Sequence, residues 1–145
     1  MAASQGQFDI RNPAVFLRIA LGVLYLPHIA FKLMDMNGAA GFFGKAGFQP
    51  AMFFVVLAIV MESIAAIGLT FNILVKWAGL ISAGVMAVAV FAIFMVKGAG
   101  WLWNLGGVEY LVFWAVASFV LALQAWMAEL REYGRLSILM PSAKA

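Results

Sequence analysis

Four stretches of the chain are each about twenty residues long and almost free of charge, and they limit what it can fold into. They cover 13–33, 51–71, 73–96 and 105–127. About 20 mostly apolar residues cross the hydrocarbon core of a bilayer as an α-helix. Inside hydrocarbon the backbone must satisfy its own hydrogen bonds, which leaves helices or closed barrels. The two-residue alternation of a barrel strand is absent. The remaining composition agrees: 66% of the 145 residues are apolar and 10% are charged, where soluble domains are about 25% charged. A soluble domain of this size could not hide so much apolar surface. The expected fold is all-α, an integral membrane four-helix transmembrane bundle forming one domain over 1–145, with the lipid bilayer as its first partner.

The connections refine this picture. Asn72 alone separates the second and third runs, and 97–104 joins the third and fourth. The longer 34–50 connection is rich in Gly, Phe and Lys, too apolar for a free loop, so part of it is expected at the interface. In the third run, Gly79 and Gly84 offer small faces for close helix approach. With four spans, one side carries Arg11, Arg18, Lys76, Arg131, Arg135 and Lys144, and the other Lys32, Lys45 and Lys97. That bias places both termini in the cytoplasm, with Trp101 and Trp103 at the outer interface and Trp77 and Trp126 at the inner one. The net charge of +3 is then an orientation signal, and nucleic acid is not an expected partner. Gly38-Ala39-Ala40 has a cleavage-like spacing, but the preceding run carries Arg18, His28 and Lys32, unlike a signal peptide's apolar core. The first run is therefore read as a retained span. Segment 129–139 mixes Leu130, Tyr133, Leu136 and Ile138 with Arg131, Glu132 and Arg135, and is expected as a short amphipathic element on the inner surface.

The chain has no Cys and one His. This removes disulfides, thiolate metal sites and Cys-ligated iron–sulfur clusters, and a single chain cannot supply bis-His haem ligation. Neither haem nor metal is expected within one chain. Electron transfer here would need a bound organic carrier or a partner subunit.

Ionisable groups inside a span cost at least about 2.5–3.5 kcal/mol each near the centre. The first run holds Arg18, His28 and Lys32, the second Glu62, the fourth Glu109. Arg18, Tyr25 and Lys32 repeat every seven residues and share one helix face. His28 borders that stripe. Pro27 frees the carbonyl of Val23, so a kink beside a cavity is expected. Arg18 and Lys32 could instead snorkel to opposite interfaces, and His28 could make a packing hydrogen bond. Glu62 lies near mid-membrane, where a short carboxylate must be paired or protonated. It is expected to meet Arg18, His28 or Lys32. Glu109 follows Asn104, a potential N-cap, and suits the first turn of a helix. The Gly106-Gly107 pair permits close approach of a ligand or a helix. Counting 1.5 Å per residue from the span ends, His28, Lys32, Glu62 and Glu109 reach similar depths. They are expected to line one buried pocket toward the outer leaflet, with His28, Glu62 and Glu109 able to transfer protons.

The ordered pieces Arg18-Ile19-Ala20-Leu21-Gly22, His28 with Lys32, Phe43-Gly44-Lys45-Ala46-Gly47-Phe48 with Pro50, Glu62 with Gly68, and Asn104-Leu105-Gly106-Gly107-Val108-Glu109-Tyr110 resemble the DoxX family of small four-helix bacterial membrane proteins. The resemblance spans about residues 14–126. It implies quinone-linked redox work in the bacterial inner membrane. Arg18, Tyr25, His28, Lys32, Asn104 and Glu109 would then form the quinone-binding set. Three readings stay open: a membrane subunit of a quinone- or quinol-linked oxidoreductase, a non-catalytic anchor or assembly subunit for a redox complex, and a small proton-coupled transporter. The first two imply a redox partner subunit, and the third a homo-oligomer. An inverted repeat would favour the transporter, and none is legible.

Overall fold

The structure, a computed structural model, describes residues 6–138. Its helices are α1 (Pro13–Val23), α2 (Tyr25–Met34), α3 (Met36–Lys45), α4 (Ala51–Thr70), α5 (Val75–Lys97) and α6 (Glu109–Tyr133). No strand occurs among the described residues. Four segments are long and apolar enough to cross a membrane: Pro13–Met34, Ala51–Thr70, Val75–Lys97 and Glu109–Tyr133. The chain is an all-α membrane bundle whose two described ends lie at the same end of the bundle, called here the terminal end.

The first span begins with Pro13 at the first helical position and Asn12 as N-cap, its side chain accepting the Ala14 N–H at 3.0 Å. Both are start signals with a mechanism, because the first turn leaves N–H groups without helical partners. Near Pro27 the helical ladder is interrupted. The span breaks at Leu24, between α1 and α2, one residue past the carbonyl that proline deprives of its bond. The 34–50 connection is more ordered than its glycines imply. Asp35 caps α3, accepting the Gly38 N–H at 2.8 Å, and α3 packs on α4.

The tight turn between α4 and α5 uses left-handed backbone at Asn72 (φ 59°) and Leu74 (φ 46°). α5 packs most extensively against α6. Gly79 permits this, since a Cβ there would lie 2.7 Å from the Ser118 carbonyl oxygen. Gly84 serves no helix contact, having open space where its side chain would be.

Two elements differ from expectation. The last helix starts at Glu109 rather than near Leu105, and Val108, not Asn104, occupies its N-cap. The residues before it fold into a loop. Gly106 takes φ 80°, and the Gly107 and Glu109 N–H groups bond the Leu102 and Trp101 carbonyls at 2.8 and 3.0 Å. A Cβ on Gly107 would collide with the Trp101 backbone. This glycine pair therefore shapes a loop and makes no room for a ligand. The 129–139 segment is likewise not separate from the last helix. Its first part continues α6 to Tyr133, Gly134 ends the helix at φ 65°, and Ser137 and Ile138 fold back onto α5. Residue 139 and Lys144 lie outside the described residues.

Candidate functional site

α2 packs on α4, and its Lys32 side chain reaches that helix. There the Lys32 ammonium reaches both oxygens of Glu62, at 2.8 and 3.0 Å. The side chains are 15% and 6% exposed, and a polar group this deep needs a partner. Lys32 also donates toward the His28 carbonyl at 3.4 Å. The predicted partnership between Glu62 and a base of the first span is thus made by Lys32.

This pair lies on the wall of an open-sided cavity of about 800 Å³, lined by α2, α3, α4, α5 and the start of α6. That volume falls in the upper part of the ligand-pocket range of about 300–1,000 Å³. The lining is otherwise largely aromatic and aliphatic: Phe31, Phe42, Phe43, Phe48, Phe54, Met61, Met86 and Tyr110, with Gly84 adding space. Phe48 is the hub, with ring centroids 5.7 Å from Phe43, 5.1 Å from Phe54 and 5.9 Å from Phe91. His28 also lines the cavity. Its ring packs edge-on to Trp114 at 5.6 Å, and among the described residues its nitrogens have no hydrogen-bond partner. Asp35 completes the polar groups from an exposed position. It was not singled out from sequence, although an acid between two helical runs is an N-cap signal.

The remaining expected site residues lie elsewhere. Arg18 is 4% exposed and neither snorkels nor reaches Glu62. It donates to the Leu69 and Thr70 carbonyls, the latter at 3.1 Å, and to the Gln7 carbonyl. The Leu69 and Thr70 carbonyls are orphans at the end of α4, so Arg18 ties the turn at Gln7 to that helix. Tyr25 is fully buried. Its hydroxyl lies 2.7 Å from Ser82 Oγ, which lies 2.7 Å from Ser118 Oγ. This polar pin joins α2, α5 and α6 inside the core. Asn104 is exposed in the short Trp103–Leu105 helical turn. Glu109 accepts the Trp103 N–H at 3.2 Å, bracing the loop before its own helix. None of Arg18, Tyr25, Asn104 and Glu109 lines the cavity. The expected four-residue pocket therefore comprises His28, Lys32 and Glu62 without Glu109, which its loop contact holds away.

A second ion pair went unrecognised. Lys76 and Glu129 meet at 2.5 Å with side chains 1% and 2% exposed. Glu129 also accepts the Ser137 N–H at 2.6 Å, and Lys76 donates to the Ser137 carbonyl. The Lys76 ammonium sits 5.2 Å from the Trp126 ring. The signal available was a lysine in a span-joining turn and an acid near the end of the last span. The charge bias counts Lys76 as an orientation signal, and Glu129 carries no sequence expectation of its own.

The DoxX family's sequence model matches residues 14–98. No curated protein and no solved structure matches the chain.

Proposed function

The chain belongs to the DoxX family, and on that premise we propose that it is the membrane subunit of a quinone- or quinol-linked oxidoreductase, with the cavity as its quinone site. The observation that carries this reading is the His28–Lys32–Glu62 group on the wall of an 800 Å³ aromatic cavity. The residues fit such a ligand. A quinone ring needs flat apolar walls, which Phe42, Phe43, Phe48 and Phe54 supply, and hydrogen-bonding groups for its oxygens. A bound quinone would contribute two-electron, two-proton chemistry.

The chain's own residues do the rest. The phenylalanine walls exclude water and strengthen each polar contact inside. His28 has free ring nitrogens and can donate to, or accept from, a ring oxygen. The Glu62 carboxylate can take a proton at Oε1 or Oε2, while Lys32 stabilises its charged form. Electrons would pass to a partner subunit. The Lys and Arg bias supports a terminal end facing the cytoplasm of a bacterial inner membrane, which puts the cavity in the outer half.

The test is direct. Solvent extracts of the purified protein, read by mass spectrometry, should contain quinone at near-stoichiometric amounts. His28→Ala should weaken decylubiquinone binding by about 10- to 100-fold, the loss expected for a hydrogen bond in a desolvated site. Unchanged binding in that variant, with no co-purified quinone, overturns the reading and favours the anchor subunit.

A further inference from the structure

We infer that Glu62 sets the charge selectivity of the cavity, so that it accepts neutral amphiphiles with carbonyl or hydroxyl heads and rejects anionic lipids. This deepens the quinone reading and rests on it. A lysine inside an apolar, lipid-accessible cavity would ordinarily bind anions, and a membrane is full of them: phospholipid phosphates and fatty-acid carboxylates. Lys32 is not available for that role. An ammonium has three N–H donors. Two go to the oxygens of Glu62, at 2.8 and 3.0 Å, and the third turns to the His28 carbonyl at 3.4 Å.

The charge balance points the same way. The cavity wall carries one cation, Lys32, against two carboxylates, Glu62 and Asp35. His28 and Tyr110 are its other titratable groups. An entering anion would have to displace Glu62, which is 6% exposed and would be left buried and uncompensated. Removing one partner of a buried pair is strongly unfavourable, and setting like charges side by side is a standard device for rejecting wrong ligands. A neutral head meets no such penalty, because the His28 ring has open hydrogen-bonding positions and the pair stays intact. The chemical class is therefore uncharged: a quinone, a quinol or another neutral carbonyl or alcohol on an apolar tail.

The experiment compares dodecanol with dodecanoate, equal in chain length and different in charge. The protein sits in phosphatidylcholine nanodiscs at a pH that keeps the acid ionised. Decylubiquinone quenches its tryptophan emission, and each competitor is scored by the emission it restores. Dodecanol should displace decylubiquinone from the wild type at least about tenfold better than dodecanoate. Glu62→Gln frees Lys32 and should reverse the order. Adding Lys32→Met to that variant should abolish dodecanoate binding while dodecanol still competes. Equal competition by both probes in the wild type sinks the inference whether or not any variant folds. So does a Glu62→Gln protein that binds decylubiquinone but gains no affinity for dodecanoate. Failure of decylubiquinone to quench the wild type at all strikes instead at the quinone reading beneath it.

Discussion

The bundle contains two buried Lys–Glu pairs, and they are built to different ends. At the terminal end, Lys76 and Glu129 are almost sealed, and every neighbour completes them: the Ser137 backbone from both sides and the Trp126 ring. At the other, Lys32 and Glu62 are joined at 2.8 Å, and one flank of the pair is an aromatic cavity. The same two residue types thus make a clamp where the surroundings are filled and a site where they are not. The identity of the charges does not separate these roles; the packing around them does.

Breaking the clamp should have the largest effect. Lys76→Met leaves Glu129 buried without its cation and should destabilise the protein by about 3–5 kcal/mol, read as a loss of thermal stability in detergent. Lys76→Met with Glu129→Leu should recover most of that loss, since an apolar replacement leaves no orphan charge. Glu62→Gln should cost less stability than Lys76→Met, because Lys32 is partly exposed.

The two glycines of α5 sharpen the contrast at smaller scale. Gly79→Ala drives a methyl into the Ser118 carbonyl and should cost about 1–3 kcal/mol by overpacking. Gly84→Ala meets nothing and should be neutral or stabilising by up to about 1 kcal/mol, as the helix gains an alanine. Gly84→Phe should narrow the cavity and weaken decylubiquinone binding while the protein stays folded. Smaller again, Ser82→Ala should cost about 1 kcal/mol for the hydrogen bonds to Tyr25 and Ser118, with ligand binding retained. Glu109→Gln should change stability by no more than about 0.5 kcal/mol and leave ligand binding untouched, because its contact is to the Trp103 N–H.

The contrast also explains what the sequence revealed. Span positions follow from run length, and that Glu62 meets a base of the first span follows from its depth, because helical rise converts residue number into height; which of Arg18, His28 and Lys32 it meets does not. The interruption at Leu24 follows from the missing N–H of Pro27. Height says nothing about azimuth, however. Glu109 has a suitable depth but turns to its own loop, and Tyr25 shares a stripe with Lys32 yet bonds Ser82. Arg18 was read as an interfacial or cavity charge. Nothing in one helix's sequence announces that the carbonyls ending another will meet it. Lys76 and Glu129 were hidden for a related reason: charges near span ends are normally interfacial, and only the fold-back of residues 134–138 buries them. A polar pocket on the first span is legible, but its aromatic wall is not, since that depends on α3, a glycine-rich segment of weak helical signal, packing on α4.

The central claim is that the open pair, and not the sealed one, belongs to a ligand site. Photolabelling with an azido-quinone followed by peptide mapping tests it most directly. The label should fall on cavity residues such as Phe48, Met61 and Met86, disappear under excess decylubiquinone, and spare peptides around Lys76 and Glu129. Label spread along the lipid-facing surface and unaffected by decylubiquinone, or concentrated at the terminal end, would contradict the account.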